Sequence, residues 1–392
     1  MSPATIYVIS FLACCLGHAM IWVRAINWTH GIRSQKLWTD IVRFGMYLIL
    51  FGVPILWLVI TEFNIPYDEW DEWQLPLNWP AWAYVILTGT MGLVLFPVVW
   101  INYLLKRTPS AHKQTNSDIH DIGRSLGRRP VGIGRRGWMA HLPFNQAFEL
   151  EMNEKELSLP RLPAALDGLR VLHLSDLHFI GRPAKAYFER VFHLCSHRPC
   201  DLLVLTGDLV DSDKHYEWLR LLKMIKPSLC TLAIRGNHDA KFDYEKVNSV
   251  LSELGFHVLG GQSKIITVKG EPLLVAGNEA PWLLPVPDVS SQQDQECFRL
   301  ALIHTPDQFR WAVQQRFDLV LAGHNHGGQI RLPGFGSIFV PSKTGRRYDM
   351  GLHQEGSTVL HVSRGLSGGH PVRYFCRPEA TWLVLRSQNK TS

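Results

Sequence analysis

The chain has 392 residues, room for one large domain or two ordinary ones, each able to bury a core. Its formal net charge is +6, and the basic residues are unevenly spread. The cysteines, at 14, 15, 195, 200, 230, 297 and 376, are odd in number and contain no Cys-x-x-Cys pair, which excludes a zinc knuckle or paired redox site and requires no oxidising compartment. Cys14 and Cys15 fall inside an apolar run and read as packed or lipid-facing thiols.

Residues 1–105 read as a membrane anchor. Ile6 to Val23 is apolar apart from Ser10 and His18, Ile41 to Ile60 apart from Arg43, and Ala81 to Leu105 apart from a few Thr, Gly, Asn and Pro residues. Each approaches or exceeds the ~20 residues that cross a hydrocarbon core as a helix. The first lacks the basic leader and small-x-small cleavage site of a signal peptide. Buried helices of a soluble domain would keep a polar face, and these do not. Arg24, Arg33, Lys36 and Arg43 face only Asp40 between the first two runs. Glu62, Asp68, Glu69, Asp71 and Glu72 lie between the second and third, with no Lys or Arg. Lys106, Arg107, Lys113, Arg124, Arg128, Arg129, Arg135 and Arg136 follow the third. The positive-inside rule then predicts a multi-pass inner (cytoplasmic) membrane protein, with everything after Leu105 in the cytoplasm. The acidic loop 62–80, with Trp70, Trp73 and Trp79, would lie outside, near the interface that such rings favour.

Residues 106–143 read as a basic linker rich in Arg, Gly, Ser and Pro, as in Arg128-Arg-Pro-Val-Gly-Ile-Gly-Arg-Arg136. The plain reading is a solvated connection; the sharper one is attraction to anionic headgroups, at ~1 kcal/mol per basic residue near the surface. No nucleic-acid partner is expected, because neither an aromatic platform nor a recognition-helix pattern accompanies the charge.

From 144 to 392 the pattern is mixed α/β. Strands are predicted over Phe148–Met152, Val171–Ser175, Leu202–Thr206 and Leu229–Arg235, then near Ile265, Leu273, Leu300, Leu319–Ala322, Val359 and Leu383. Helices are predicted over Ala184–Cys195, Tyr216–Ile225 and Tyr244–Leu254, the last stopped by Gly255. The recurring theme is an apolar strand ending in Gly and then Asp, Asn or His, which is where an open α/β site gathers its ligands.

Five ligand-bearing segments follow in order: Asp176-Leu-His178, Gly207-Asp208-Leu-Val-Asp211, Gly236-Asn237-His238-Asp239, Ile303-His304 and Gly323-His324-Asn325-His326-Gly327-Gly328. The candidate metal ligands are Asp176, His178, Asp208, Asn237, His304, His324 and His326. Imidazole, carboxylate and amide donors without thiolate suit divalent Mn, Fe, Zn, Co or Ni, whose identity the donors leave open. Seven ligands are too many for one catalytic ion with an open position, but right for two divalent ions bridged by Asp208. Four positive charges against two carboxylates favour a bound hydroxide and an anionic substrate. Two ions ~3.5–4 Å apart are the general solution for in-line phosphoester hydrolysis. His238, directly after a ligand, is the candidate catalytic proton donor to the leaving oxygen, with Asp239 to orient its imidazole and Asp211 as a supporting acceptor. Singly, each has a plainer reading: His304 as a core histidine, Asp239 as a cap, Asp211 as a turn residue. It is the ordered set that carries the argument. His173, His215, His257, His353, His361 and His370 read as surface or packing residues, with His370 after Gly368-Gly369 the candidate substrate contact among them.

These segments resemble the motifs of the calcineurin-like metallophosphoesterases, over roughly residues 145–386. The resemblance implies a four-layer α-β-β-α sandwich, two packed mixed sheets flanked by helices, preceded here by three transmembrane helices. It implies one ion on Asp176, His178, Asp208 and His326, another on Asp208, Asn237, His304 and His324, and His238 beside the scissile phosphate. Leu174-Ser-Asp-Leu-His178, His304-Thr-Pro-Asp307 and Gly323-His-Asn-His-Gly-Gly-Gln-Ile-Arg-Leu-Pro-Gly334 are similar to the membrane-anchored bacterial subgroup, although three spans exceed its usual anchor. Asn278 stands where that pattern has an acidic residue after Gly277.

The expectation is therefore a hydrolase using a dinuclear centre and metal-bound hydroxide on a membrane-associated phosphodiester or phosphomonoester. A UDP-2,3-diacylglucosamine-type pyrophosphatase, with a lipid-linked substrate, is the sharper alternative. The alternative from another class is a non-catalytic membrane-anchored scaffold, which the intact ligand set and His238 disfavour.

Overall fold

The computed structural model describes residues 3–32, 36–64, 79–106, 108–132, 136–292 and 296–388. The chain forms two compact units, Met1–Arg107 and Thr108–Ser392. The centre of the acidic loop, with Trp70 and Trp73, lies outside the described residues.

The first unit is three apolar helices: α1 (Pro3–His30), α2 (Lys36–Asn64), and α3 (Trp79–Thr90), which runs through a π-helical turn at Met91–Leu95 into α4 (Phe96–Leu104). Thr5–His30, Trp38–Val59 and Trp79–Leu104 are each long and apolar enough to span a membrane. Their outward faces carry Phe44, Leu48, Phe51, Ile86 and Leu93, all exposed, as a lipid-facing surface requires. Gly17 and Gly92 lie where the helices pack closest. A Cβ added to Gly17 would lie 1.9 Å from the Thr88 carbonyl oxygen, so α1 and α3 touch backbone to backbone. His18 joins the helices, with Nδ1 2.5 Å from the Tyr84 hydroxyl and Nε2 3.2 Å from the Ile49 carbonyl oxygen.

The second unit is the predicted four-layer sandwich. In chain order it contains β1 (His112–Asp121), α5 (Ile122–Ser125), β2 (Glu149–Leu159), β3 (Arg170–Leu174), α6 (Lys185–Ser196), β4 (Leu202–Thr206), β5 (Cys230–Ile234), α7 (Tyr244–Glu253), β6 (His257–Val258), β7 (Ser263–Val268), β8 (Glu271–Asn278), β9 (Phe298–Ile303), α8 (Phe309–Gln314), β10 (Leu319–Ala322), β11 (Arg331–Leu332), β12 (Gly336–Ser337), β13 (Gly351–Glu355), β14 (Thr358–Val362) and β15 (Glu379–Ser387). One sheet has the order β1-β2-β15-β3-β4-β5-β6, the other β13-β14-β10-β9-β8-β7.

Strand alternation sorts the core. Val171, Val204 and Leu232 of the first sheet meet Val275, Leu300 and Leu321 of the second between the sheets. Leu172, Leu174 and Leu205 face outward onto Tyr187, Phe188, Val191 and Phe192 of α6. Ala301, Ile303 and Val320 face outward onto Phe309 and Ala312 of α8. Strands β3, β4 and β5 run parallel, as do β8, β9, β10 and β14, so two sets of strand ends open toward the ligand-bearing turns. Helix α7 begins where the Asp243 carboxylate accepts the Lys246 N–H and ends at Gly255, whose φ is +85°.

Two expectations need correcting. The stretch read as a basic linker, 106–143, contains β1, which pairs antiparallel with β2 from His112 to Asp121 and makes the sheet's edge. An edge strand that is mostly exposed on both faces has no apolar alternation to reveal it. The helix expected at Tyr216–Ile225 is a 3₁₀ helix, Tyr216–Met224, whose buried Tyr216, Leu219 and Leu222 recur every third residue, the 3₁₀ period.

Candidate active site

The five motif segments are the turns that follow β3, β4, β5, β9 and β10. The structure brings all seven expected ligands together. Asp176, His178, Asp208 and His326 place ligand atoms within 4.8 Å of one another, and Asp208, His304 and His324 form a second such group, so Asp208 belongs to both. Asn237 joins the second group, its Oδ1 3.0 Å from His304 Nε2. Five of these residues hold left-handed backbone: Asp176 (φ 52°), His178 (44°), Asp208 (53°), His324 (70°) and His326 (48°). Non-glycine residues rarely do so, and they persist there only when surroundings impose it. The imposition is visible: the Asp176 N–H donates to the Gly207 carbonyl at 3.0 Å and the His178 N–H to the Asp208 carbonyl at 2.9 Å. Glycine is required where the turns press on the carboxylates. A Cβ at Gly236 would sit 2.1 Å from Asp208 Oδ1, and one at Gly323 would sit 2.4 Å from Asp176 Oδ2.

The hydrogen bonds fix which ring nitrogens point inward. His178 gives Nδ1 to the Asp211 carboxylate at 3.0 Å. His326 gives Nδ1 to the Ser367 carbonyl at 3.1 Å, and His304 gives Nδ1 to the Thr206 carbonyl at 2.7 Å. Their Nε2 atoms then turn to the centre. His178 Nε2 and His326 Nε2 lie 3.1 Å apart, and His304 Nε2 lies 3.3 Å from Asp208 Oδ1. His324 Nε2 is buried with no hydrogen-bond partner among the described residues. Lone pairs that face lone pairs in a dry site call for a cation, and the donor set fits a divalent metal. The carboxylates draw positive charge into this centre. Burial pulls His178 down, but Asp211, Asp208 and Asp176 outweigh it and push it up to about 9. Burial likewise opposes and Asp208 and Asp176 win at His304, pushed up to about 9. Burial, then neighbouring His304 or His178, hold His324 and His326 well below the usual range.

The sequence matches a family of known proteins. A family profile described as calcineurin-like phosphoesterase matches residues 169–328. The uncharacterized metallophosphoesterase YkuE of Bacillus subtilis is 30% identical over 250 residues, 61% of this chain and 87% of that one. The chain belongs to the calcineurin-like phosphoesterase family. It is a metallophosphoesterase, and so a phosphoester hydrolase. The phosphodiesterase YaeI of Escherichia coli is also 30% identical, over 223 residues, 55% of this chain and 82% of that one. A Danio rerio transmembrane protein with metallophosphoesterase domain is 28% identical over 402 residues, 95% of this chain and 86% of that protein.

In this metallophosphoesterase the residues around the ligands divide differently from the sequence expectation. His238 sits at the rim with 32% of its side chain exposed, whereas Asp176, His178, Asp208 and His304 are nearly closed off. Its Nδ1 lies 2.7 Å from Asp211 Oδ1, an ion-pair contact that Asp239 does not make with it. Asp239 is buried and accepts the backbone N–H groups of Leu209, Val210 and Gly236, at 2.9, 2.9 and 2.8 Å. It staples the two ligand turns rather than touching the imidazole. Asn278, in place of the acidic residue, accepts the Ala280 N–H at 3.0 Å, and Glu279 instead pairs with Arg235 at 2.7 Å.

Other contributors escape sequence reasoning. Trp282 packs its ring 4.8 Å from the His324 ring and 5.7 Å from that of His304, forming an aromatic wall at the second ligand group. Arg373, 2% exposed, donates to the Arg364 carbonyl at 2.7 Å and also to that of Ser367, which holds the loop behind His326. Ser367 acts through its carbonyl oxygen, which no side-chain pattern can announce.

Proposed function

We propose that this metallophosphoesterase hydrolyses a membrane-associated phosphodiester or phosphomonoester with a dinuclear centre. Asp176, His178, Asp208 and His326 would hold one divalent ion, and Asp208, Asn237, His304 and His324 the other. The observation that carries this reading is Asp208, whose carboxylate is common to both donor groups. Bound there, two divalent ions would neutralise charge on the phosphoryl oxygens and lower the pKa of the attacking water. The chain's own groups do the rest. Asp211 fixes His238 through Nδ1, which leaves Nε2 to hand a proton to the leaving oxygen. Asp239 and the glycines keep the ligand turns in register. Partial exposure of His238 gives the substrate its approach.

The three spanning helices support a substrate held at a membrane, and the positive-inside charge pattern supports a cytoplasmic catalytic unit. The likeness to the phosphodiesterase YaeI supports the diester over the monoester. A UDP-2,3-diacylglucosamine-type pyrophosphatase, whose lipid-linked substrate would join the anchor to the site, is the sharper form of the same reading.

The test is turnover by the full chain in detergent, loaded with Mn, beside Asp208→Asn. A phosphodiester, a phosphomonoester and a UDP-diacylglucosamine lipid are the substrates. Turnover that falls at least about a hundredfold in the variant is expected, since one substitution weakens both ion sites. A metal-loaded wild-type protein inert toward all three would overturn the proposal.

A further inference from the structure

The basic segment before residue 140 does not simply connect the two units; part of it is built onto the loop that follows the first ligands. Val131 forms an antiparallel bridge with Pro183. The Gly132 N–H donates to the Arg182 carbonyl at 2.7 Å, and the Ala184 N–H donates to the Pro130 carbonyl at 2.8 Å. The approach is close enough that a Cβ on Gly132 would lie 1.5 Å from the Gly181 carbonyl oxygen. Arg182 stands four positions after His178, and it is half-buried. A few residues along the basic segment, the Arg136 guanidinium lies 3.0 and 2.8 Å from the two ring nitrogens of His370. His370 belongs to the loop whose Ser367 carbonyl accepts from His326. That loop is fixed from below: Asn145 donates to the Pro371 carbonyl at 2.7 Å and accepts the Arg373 N–H at 2.9 Å.

Three segments therefore pack together after the first ligand turn, and they bring two guanidinium groups, with Arg182 within electrostatic reach of Asp211. Among the described residues, neither Arg136 nor Arg182 has a carboxylate within 4.0 Å, although most other arginines of this unit are paired or bonded. The two arginines also sense each other, since Arg136 depresses Arg182 after burial does. Asp211 attracts Arg182 from beyond ion-pair distance, but two guanidinium groups beside one carboxylate leave an excess that the solvent or a ligand must balance. Two divalent ions already match the charge of one reacting phosphate. A further pair of guanidinium groups suits a second phosphate, since the planar fork binds such oxygens bidentately.

We propose that Arg136 and Arg182, with His370 holding the Arg136 guanidinium, form a subsite for a second phosphate of the substrate, so that the favoured substrate is a diphosphate-linked ester. The inference rests on the phosphoesterase reading of the metal site. It makes Arg136 and Arg182 specificity-determining residues of the substrate site.

The experiment uses the full chain in detergent with metal content measured for each variant. Wild type, Arg136→Gln, Arg182→Gln and Arg136→Lys are compared on UDP-2,3-diacylglucosamine and on bis(p-nitrophenyl) phosphate. Binding of inorganic pyrophosphate and of inorganic phosphate is measured by calorimetry. The ratio of kcat/KM for the diphosphate over the simple diester should fall about tenfold or more in each Gln variant, through KM. Arg136→Lys should recover part of the loss, since it keeps charge but not the fork. An unchanged ratio, or a parallel fall on both substrates with loss of metal, would overturn the subsite. A change confined to association with anionic vesicles would also overturn it, by assigning the arginines to lipid headgroups. If the metal-loaded wild type hydrolysed neither ester but still lost pyrophosphate affinity selectively on Arg→Gln substitution, the hydrolase reading would fail and the subsite would stand. Unaltered pyrophosphate binding would remove the subsite whatever the turnover.

Discussion

Replacing Asp211 by Asn tests how the site is held together, because one carboxylate serves two imidazoles. Oδ2 lies 3.0 Å from His178 Nδ1 and Oδ1 lies 2.7 Å from His238 Nδ1. The group is almost closed to solvent, at 8% exposure, and the two imidazoles hold its carboxyl well below the usual range against the opposing effect of burial. An amide keeps one acceptor oxygen and presents an NH2 on the other side. It can accept from His178 or from His238, but not from both. If the NH2 faces His178, the proton of that ring is driven to Nε2, the atom that points at Asp208 and His326. If it faces His238, the rim imidazole loses its orientation. A hydrogen bond to a charged group is worth ~1.5–3 kcal/mol, which is ten- to about 150-fold in a rate or an affinity. Asp211→Asn should therefore lower kcat/KM by about that factor. Metal content by plasma mass spectrometry and steady-state kinetics on one diester separate the routes. Lost metal with normal turnover per loaded site assigns the effect to His178. Full metal with a lower kcat assigns it to His238. A variant with metal content and kcat both within twofold of wild type would refute the assignment of Asp211 as the shared positioning residue.

His238→Gln should lower kcat by about 10²–10⁴ on esters with alkyl leaving groups and far less on p-nitrophenyl esters, whose leaving oxygen needs no proton; equal losses on both would remove His238 from the proton-donor role. Away from the site, Glu379 is buried against Arg364 at 2.7 Å, within reach of the Asn153 amide at 3.0 Å, and close enough to Lys155 for attraction. Glu379→Gln leaves those cations partly unpaired and should cost about 3–5 kcal/mol of stability, read as a fall in the thermal midpoint of the chain in detergent. Burial opposes ionisation of Glu379, but Arg364, Lys155 and His361 outweigh it and depress its pKa below the usual 4.5. A depressed carboxylate stabilises the fold above its unfolded-state pKa, and the stabilisation is lost as pH falls through the folded value. The variant should thus lie below wild type at pH 7 and approach it in acid; a gap that widened below pH 4 would contradict the pairing.

What the sequence could announce, and what it could not, follows from where each interaction lives. The ligands were legible because each group follows an apolar strand buried at its C-terminal end, and Gly207, Gly236 and Gly323 open three of the five turns. That pattern is the local cost of turning a carboxylate or imidazole into a crowded centre. The four layers were legible for the same reason, since Leu202–Thr206 is buried throughout and reads as a central parallel strand. Strand β1 was not, because its side chains are nearly all exposed and its place is set by the backbone ladder to β2 and by long-range contacts such as Ser117 to Glu151 at 3.0 Å. The buried run from Lys155 through His361 and His173 to Thr206, linked at 3.0, 2.9 and 2.9 Å, joins residues far apart in sequence between the sheets. Nothing in the neighbourhood of any one of them signals the others.

The exchange of roles between Asp239 and Asp211 shows why adjacency misleads at such a site. Asp239 is the neighbour of His238 in sequence, and the chain there turns into a 3₁₀ helix, Asp239–Lys241. That turn sends the Asp239 carboxylate back under the ligand loops, onto three backbone N–H groups, while the imidazole before it faces the rim. The acceptor that reaches the imidazole comes from the preceding strand's turn, three residues after Asp208. A parallel sheet places successive strand ends side by side, so the contacts that orient a catalytic group run across strands more readily than along one. The same geometry lets Arg182, from the turn after β3, stand beside a segment more than forty residues earlier in the chain and so carry a basic stretch into the substrate site.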